Sequence, residues 1–224
     1  MEKIRFEEES CKALGSRYLQ LLLSQQSDTA ISEIMAAVDD WLPLKTLYLK
    51  VLQPVQHELG RLWQNGSITV AEEHFCTAAT QQVISRLYPR IFSTPKNGRI
   101  LVAAFASGEL HEVGLRMVAD FFELNGWSTH FFSASAEPSE VISAVTYLKA
   151  DLIAISATME RHVEKVAGLV NAIHSAHSLQ RPRILVGGHP FNLNSSLWLA
   201  VGADGTAREA EQAVQEGNRL CSPQ

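Results

Sequence analysis

Residues 99–114 read RILVAAFASGELHEVG. The run 100–105 is apolar without alternation, the pattern of a parallel strand covered on both faces. Ser107 and Gly108 break the run, and Glu112-Val113-Gly114 opens a segment with helical spacing, expected over 112–125. Between strand and helix stand Glu109 and His111, a carboxylate and an imidazole in one short loop. Strand, loop and helix in this order form the repeating unit of a doubly wound sheet.

The alternation continues downstream. Further strands are expected at 128–132, 152–155 and 184–186, and a short fifth at Ala203-Asp204. Helices are expected at 138–149, 160–177 and 206–219. This predicts an α/β, Rossmann-like (flavodoxin-like) doubly wound parallel five-stranded sheet. Upstream the pattern changes. Residues 1–92 show helical periodicity and almost no strand signal, with helices expected near 7–24, 28–39, 44–63 and 70–91. Leu19, Leu22 and Leu23 fall on one helical face, and Leu44, Leu47, Tyr48 and Val51 on another. Pro54 should kink or divide the third helix, and Asn65-Gly66 should stop it. Thr69 and Glu72 have the spacing of a capping box for the fourth. The expected organisation is therefore an N-terminal four-helix bundle over 1–92, a polar linker at 93–98, and the α/β domain over 99–224.

Composition narrows the function classes. The 224 residues are 46% hydrophobic and 19% charged, which suits globular domains with modest cores. A net charge of −5 argues against an electrostatic grip on nucleic acid. The acidic start, with Glu7, Glu8 and Glu9, is unlike a signal peptide. No stretch reaches the roughly 20 apolar residues of a membrane span. Three scattered cysteines without a CxxC indicate neither a zinc site nor a disulfide framework. A cytoplasmic protein is expected.

In open parallel sheets, ligands bind beyond the carboxyl ends of the strands, where the strand order reverses. That directs attention to the loop 107–114, to Ser156-Ala157-Thr158-Met159, and to Gly187-Gly188-His189-Pro190. A phosphorylated receiver domain would need an Asp ending the third strand and a later Lys. Here that strand ends in Ile155-Ser156, and no Lys follows the fifth. A dinucleotide domain would need GxGxxG after the first strand, where Glu109-Leu110-His111 stands instead.

Glu109-x-His111-x-x-Gly114 resembles the D/E-x-H-x-x-G signature of cobalamin (vitamin B12)-binding domains. Ser156-x-Thr158 resembles that family's S-x-L/T element, and Gly187-Gly188 its GG element. Gly202-Ala203-Asp204-Gly205 resembles the segment before its last helix. The likeness spans about 100–220. It implies that His111 is the lower axial ligand of cobalt, a borderline metal that imidazole suits. Glu109 would accept the other ring N–H, as carboxylates behind ligating histidines do. Gly114 would admit close approach of the corrin or its tail, Ser156 and Thr158 would hydrogen-bond the nucleotide tail, and Gly187 and Gly188 would let it lie against backbone.

In the helical half, Trp63 followed by Glu73-His74 resembles the W-x9-E-H motif of B12-dependent photoreceptors, over roughly 45–90. The resemblance implies that Trp63, Glu73 and His74 line a cap over the upper axial group. Adenosylcobalamin is the first expectation, with methylcobalamin and hydroxocobalamin as alternatives. Two features depart from the photoreceptors. No N-terminal DNA-binding helix-turn-helix is evident, and Gln64 stands where those proteins commonly carry a His that captures cobalt after photolysis.

Each residue also has an ordinary structural reading. Glu109 could be a helix N-terminal acid, Ser156 and Thr158 could be caps, and Gly187-Gly188 could be a turn. Trp63 could be a core aromatic, Glu73 a solvated charge, and His74 a core histidine. His57, His162, His174, His177 and His189 are given ordinary structural roles, and Cys76 that of a buried apolar residue. The first expectation for function is a non-catalytic, light- or ligand-responsive signalling protein that acts through homo-oligomerisation or a protein partner. The alternative is a corrinoid methyl carrier serving methyltransferases, or a simple cobalamin carrier.

Overall fold

The structure, a computed structural model, describes residues 2–222 except Ser107, Leu110, Ala134 and 177–180, so His177 lies outside the described residues. The chain divides into two compact units, Met1–Pro89 and Arg90–Gln224. Among the described residues no helix is long and apolar enough to cross a membrane.

The first unit is helical. Its elements are α1 (Glu2–Leu23), α2 (Ser27–Asp40), α3 (Leu44–Leu47), a π-helical turn (Tyr48–Leu52), α4 (Gln53–Gln64) and α5 (Val70–Ile91). The buried stripe of α1 is Cys11, Tyr18, Leu21 and Leu22, whereas Leu23 is exposed and Leu19 half-buried. The expected leucine face is thus rotated toward Tyr18. The π turn lies immediately before Pro54. A proline removes an N–H and crowds the carbonyl four residues back, here that of Lys50. The backbone widens to accommodate this, and Gln53 N–H donates to the Tyr48 carbonyl, one residue further back than in an α-helix. Tyr48, Val51, Leu52, Val55 and Leu59 are buried through this change of pitch. The capping box forms as its spacing predicts. Thr69 N–H donates to Glu72 Oε2 at 2.7 Å, and Glu72 N–H donates to Thr69 Oγ1 at 3.2 Å.

The second unit carries β1 (Ile100–Phe105), α6 (Val113–Glu123), β2 (Ser128–Phe131), α7 (Pro138–Leu148) and β3 (Leu152–Ser156). A 3₁₀ turn (Glu160–His162) leads into α8 (Val163–Ala176), followed by β4 (Arg183–Gly187), α9 (His189–Leu193), α10 (Leu197–Ala200), β5 (Gly205–Ala207) and α11 (Ala210–Leu220). The sheet is parallel throughout, in the order β2-β1-β3-β4-β5. The order reverses between β1 and β3, so the loops after these two strands flank the switch point. Val102, Ala104, Ile153, Ile155, Ile184 and Val186 form one core with Val141, Val145, Val166, Leu169, Val170 and Ile173 of α7 and α8. The opposite face meets α6 and α11, where Gly217 lies against Phe122 and Leu152.

Two expectations need correction. The fifth strand is Gly205–Ala207, not Ala203-Asp204. Asp204 acts just ahead of it as a clamp, accepting from Ile184 N–H at 2.7 Å and from both terminal nitrogens of Arg181 at 2.6 and 2.8 Å. The last helix accordingly begins at Ala210 rather than near 206. The turns α9 and α10 were not expected, because helices of 5 and 4 residues are too short to show periodicity.

Candidate functional site

The loop after β1 and the loop after β3 meet through one side chain. Glu109 is wholly buried, at 0% exposure. Its Oε1 accepts the His111 backbone N–H at 3.0 Å and lies 2.5 Å from His111 Nδ1. Its Oε2 accepts the Thr158 backbone N–H at 2.6 Å and lies 3.0 Å from His162 Nδ1. Burial by itself would raise the carboxyl pKa. The hydrogen bonds from the His111 ring, the Thr158 and His111 backbones and the His162 ring outweigh it, and hold Glu109 well below the usual carboxylate range. Glu109 is therefore an anion and an acceptor only.

That fixes the chemistry of His111. Facing a carboxylate, Nδ1 carries the proton, so Nε2 holds the lone pair. The His111 side chain is 42% exposed, in contrast to the carboxylate behind it. Among the described residues no group of three or more His, Cys, Asp or Glu side chains is arranged to hold a metal ion. A single exposed imidazole nitrogen can take a metal whose remaining ligands arrive with it, as in a macrocycle.

The strand register places the other candidates. Phe105, Ser156, Gly187 and Ala207 are paired in turn across β1, β3, β4 and β5, so Ser156 and Gly187 are direct neighbours at the carboxyl edge. Both are half-buried. Thr158 contributes its backbone N–H to Glu109. The glycines have different reasons. Gly188 has φ +102°, and a Cβ there would collide with the Ala157 carbonyl, so internal packing alone demands glycine. Around Gly114, in the first turn of α6, a Cβ would meet no heavy atom within 4 Å. A side chain would thus have space at Gly114 and none at Gly188.

In the helical unit, Trp63 is half-buried near the end of α4. Glu73 is only 16% exposed and His74 65%, with Glu73 Oε2 3.6 Å from His74 Nε2. His74 is accordingly not a core histidine, nor Glu73 a fully solvated charge. Thr77 Oγ1 lies 2.8 Å from Glu73 Oε1 and 3.1 Å from Gln56 Oε1, sharing its one proton between them. Gln56 Nε2 donates to Thr80 Oγ1 at 2.8 Å, and the buried Tyr18 hydroxyl lies 3.1 Å from the same oxygen. Cys76 is buried, and burial together with Glu73 and Glu72 pushes its thiol up to about 11. His57 and His189 are exposed, and His174 is half-buried with no hydrogen-bond partner at Nε2 among the described residues.

Sequence reasoning missed His162 as a member of the site. It lies outside every motif, and its one sequence clue is its place in the loop after β3, at the switch point.

A buried carboxylate holding an exposed imidazole at the switch point of a parallel sheet is an arrangement that suits a metal macrocycle. Residues 99–216 match the B12 binding domain family, and residues 14–88 match a second family, also described as a B12 binding domain. The chain belongs to the B12 binding domain family. It is 22% identical over 206 residues to a corrinoid protein of Desulfitobacterium hafniense (strain Y51), covering 90% of this chain and 94% of that one. It is 26% identical over 174 residues to the HTH-type transcriptional repressor CarA of Myxococcus xanthus, covering 77% of this chain and 57% of the repressor. The fold matches that of the Methanosarcina barkeri monomethylamine corrinoid protein with a TM-score of 0.82 at 17% identity, over 93% of this chain and 99% of that one. The residues at the switch point fit a corrinoid: an imidazole that could ligate its metal, a carboxylate that fixes the imidazole's tautomer, and room at Gly114.

Proposed function

We propose that this chain is a corrinoid methyl carrier, which binds a methylated cobalamin and presents it to partner methyltransferases. The observation that carries this reading is the end-to-end likeness to a corrinoid protein, helical unit included, over 90% of this chain and 94% of the relative. A bound corrinoid would supply a cobalt able to take a methyl group from one partner and yield it to another. The chain's own residues do the rest. His111 would offer Nε2 to the cobalt. Glu109 keeps the proton on Nδ1, and Ser156 and Gly187 offer a hydroxyl and a bare backbone to the nucleotide tail. Substrate recognition and acceptor activation belong to the partners, so the chain works as a component of an enzyme system.

A light- or ligand-responsive regulator is the second reading. It draws on Trp63, Glu73 and His74 and on the 26% identity to the repressor CarA. Loading the protein with methylcobalamin or adenosylcobalamin, then recording spectra and size-exclusion profiles before and after green light, separates the two. A carrier keeps its oligomeric state under light and yields its methyl group to a thiol acceptor when a partner methyltransferase is added. A light-dependent change of oligomeric state confined to the adenosyl form would replace the carrier reading with the regulator. In either case His111→Ala should abolish the His-ligated spectrum and weaken binding by at least the roughly 10–100-fold that disturbing a ligand's supporting partner typically costs.

A further inference from the structure

The α/β unit holds a cavity of about 300 Å³ that the corrinoid reading leaves unused. Val141 of α7 and Leu169 of α8 line it, and both belong to the core that these helices share with the sheet. Pro138 lines it from the first turn of α7, Phe105 from the end of β1, and Lys165 and Gly168 from α8. The spacing of residues 165, 168 and 169 puts them on one side of their helix.

The sheet separates this cavity from the residues offered to the nucleotide tail. Side chains alternate between the two faces of a strand. Ile155 and Val186 pack in the core with α7 and α8. Ser156 and Gly187, each the next residue along, therefore address the opposite face, where Gly217 of α11 meets Phe122 of α6. A ligand held between α7 and α8 would not meet the tail.

Two glycines shape the cavity. Glycine inside a helix is destabilising relative to alanine, and packing does not require it at Gly168, where a Cβ would meet no heavy atom within 4 Å. The missing side chain leaves room along α8. Gly108 has φ +80°, and Lys165 Nζ lies 3.2 Å from where its Cβ would be. The ammonium group thus stands at the carboxyl rim of the sheet, beside the loop after β1. The aliphatic walls favour an apolar body and would penalise a charge buried among them. Among the described residues that line the cavity Lys165 is the one charged group, and none is acidic. The volume falls at the small end of the roughly 300–1,000 Å³ of ligand sites.

We infer that this cavity binds a small amphiphilic anion, a short aliphatic carboxylate, with its chain between α7 and α8 and its carboxylate at Lys165 Nζ. The site is separate from that of the corrinoid and does not depend on the corrinoid reading.

The test titrates the apo protein, both units included, with hexanoate, 1-hexanol and hexylamine, and follows binding by ligand-observed NMR. Hexanoate should bind saturably and about fivefold more tightly than hexanol, the worth of a partly exposed ion pair. Hexylamine should bind more weakly than either. Lys165→Met should bring hexanoate down to the affinity of hexanol. Gly168→Leu, which fills the cavity from α8, should weaken hexanoate and hexanol alike by at least about tenfold without lowering the melting temperature. Absence of saturable hexanoate binding, equal binding of the three probes, or unchanged binding to Gly168→Leu would each overturn the site. Should Gly168→Leu not melt cooperatively, Gly168→Met gives the same comparison. A last titration adds hexanoate to the hydroxocobalamin-loaded protein. An affinity equal to that of the apo protein is expected of ligands on opposite faces of the sheet. Competition would assign the cavity to the corrinoid and overturn a separate site. Failure to take up hydroxocobalamin at all would sink the corrinoid reading and leave the apo titrations to decide this one.

Discussion

Both units bury polar side chains, but of different kinds. In the helical unit the buried pair Tyr18–Thr80 continues through the half-buried Gln56 and Thr77, hydroxyls and an amide that meet a carboxylate, Glu73, only at the far end, and burial pushes the Tyr18 phenol up to about 12, so it remains neutral. In the α/β unit the buried polar centre at the strand ends is an anion, Glu109, held between two imidazoles. Neutral partners can tie helices together with little desolvation penalty. A buried carboxylate loses far more hydration, and persists only where donors surround it. Such an arrangement does more than hold a loop: it imposes one tautomer and one direction on an imidazole that is half in solvent. The difference separates polar burial that supports packing from polar burial that orients an exposed imidazole.

The sharpest way to break the contrast is to remove the anion. Glu109→Ala leaves the His162 and Thr158 donors facing a void. It should destabilise the α/β unit by about 4 kcal/mol, as loss of one partner from a buried ionic group does. Urea unfolding followed by the Trp127 environment would measure it, since Trp127 is fully buried in this unit. A change below about 1 kcal/mol, the range of an ordinary neutral hydrogen bond, would mean that the carboxylate is not the centre described.

Gly188→Ala probes the same edge of the sheet without touching a charge. Positive φ and the collision with the Ala157 carbonyl should together cost about 3 kcal/mol. Thermal melting of the apo protein would show it. Gly114→Ala, which meets open space, should leave the apo melting temperature nearly unchanged and act on corrinoid affinity instead. Equal effects of the two substitutions on the apo protein would remove the distinction between a glycine required by the fold and one that leaves space for a ligand.

These two glycines also show what the sequence made legible. The frame was readable because strands covered on both faces are continuous apolar runs, as at Ile100–Phe105 and Leu152–Ser156. Glu109 and His111 were readable because their spacing places both in one loop. The GG pair was readable as a motif, yet the reason for Gly188 is internal, a contact between loops distant in sequence. His162 was hidden for a similar reason: nothing local marks a histidine whose partner lies 53 positions away. The fifth strand was misplaced because Asp204 looked like part of it, when its carboxylate is occupied by Arg181 and the Ile184 N–H.

On the helical side, Thr80→Val removes the oxygen that both Gln56 and Tyr18 reach. Leaving those two groups without their partner should cost about 2 kcal/mol. The contrast between the units predicts that the His-ligated corrinoid spectrum stays unchanged while the melting temperature falls. A spectral shift in Thr80→Val would mean that the neutral network also prepares a ligand, and would erase the difference between the two.

The smallest effect concerns an anion of the α/β unit that prepares no ligand. Asp204 carries a carboxyl for which burial would raise the pKa, but Arg181, the Ile184 N–H and Arg183 lower it below its ordinary value. Its folded pKa is thus lower than its unfolded one. The stability it contributes is fully present above the unfolded value of about 3.9, and is lost as pH falls through the folded value. Asp204→Asn should destabilise the protein by roughly 1 kcal/mol at pH 7, a modest figure because Arg181 is partly solvated. The variant should also lose stability less steeply than the wild type as pH falls below about 4. The corrinoid spectrum should not move, because Asp204 pairs with Ile184 at the start of β4, one residue from Arg183, whereas the ligand loops follow the ends of the strands. Urea midpoints of the two proteins at pH 3.5 and pH 7 test both halves of this expectation. If the wild type and the variant shift in parallel between these pH values, Asp204 is not the acid-labile clamp of β5. If the spectrum changes in the variant, the α/β unit holds a second anion that acts on the ligand, and Glu109 is not alone in that role.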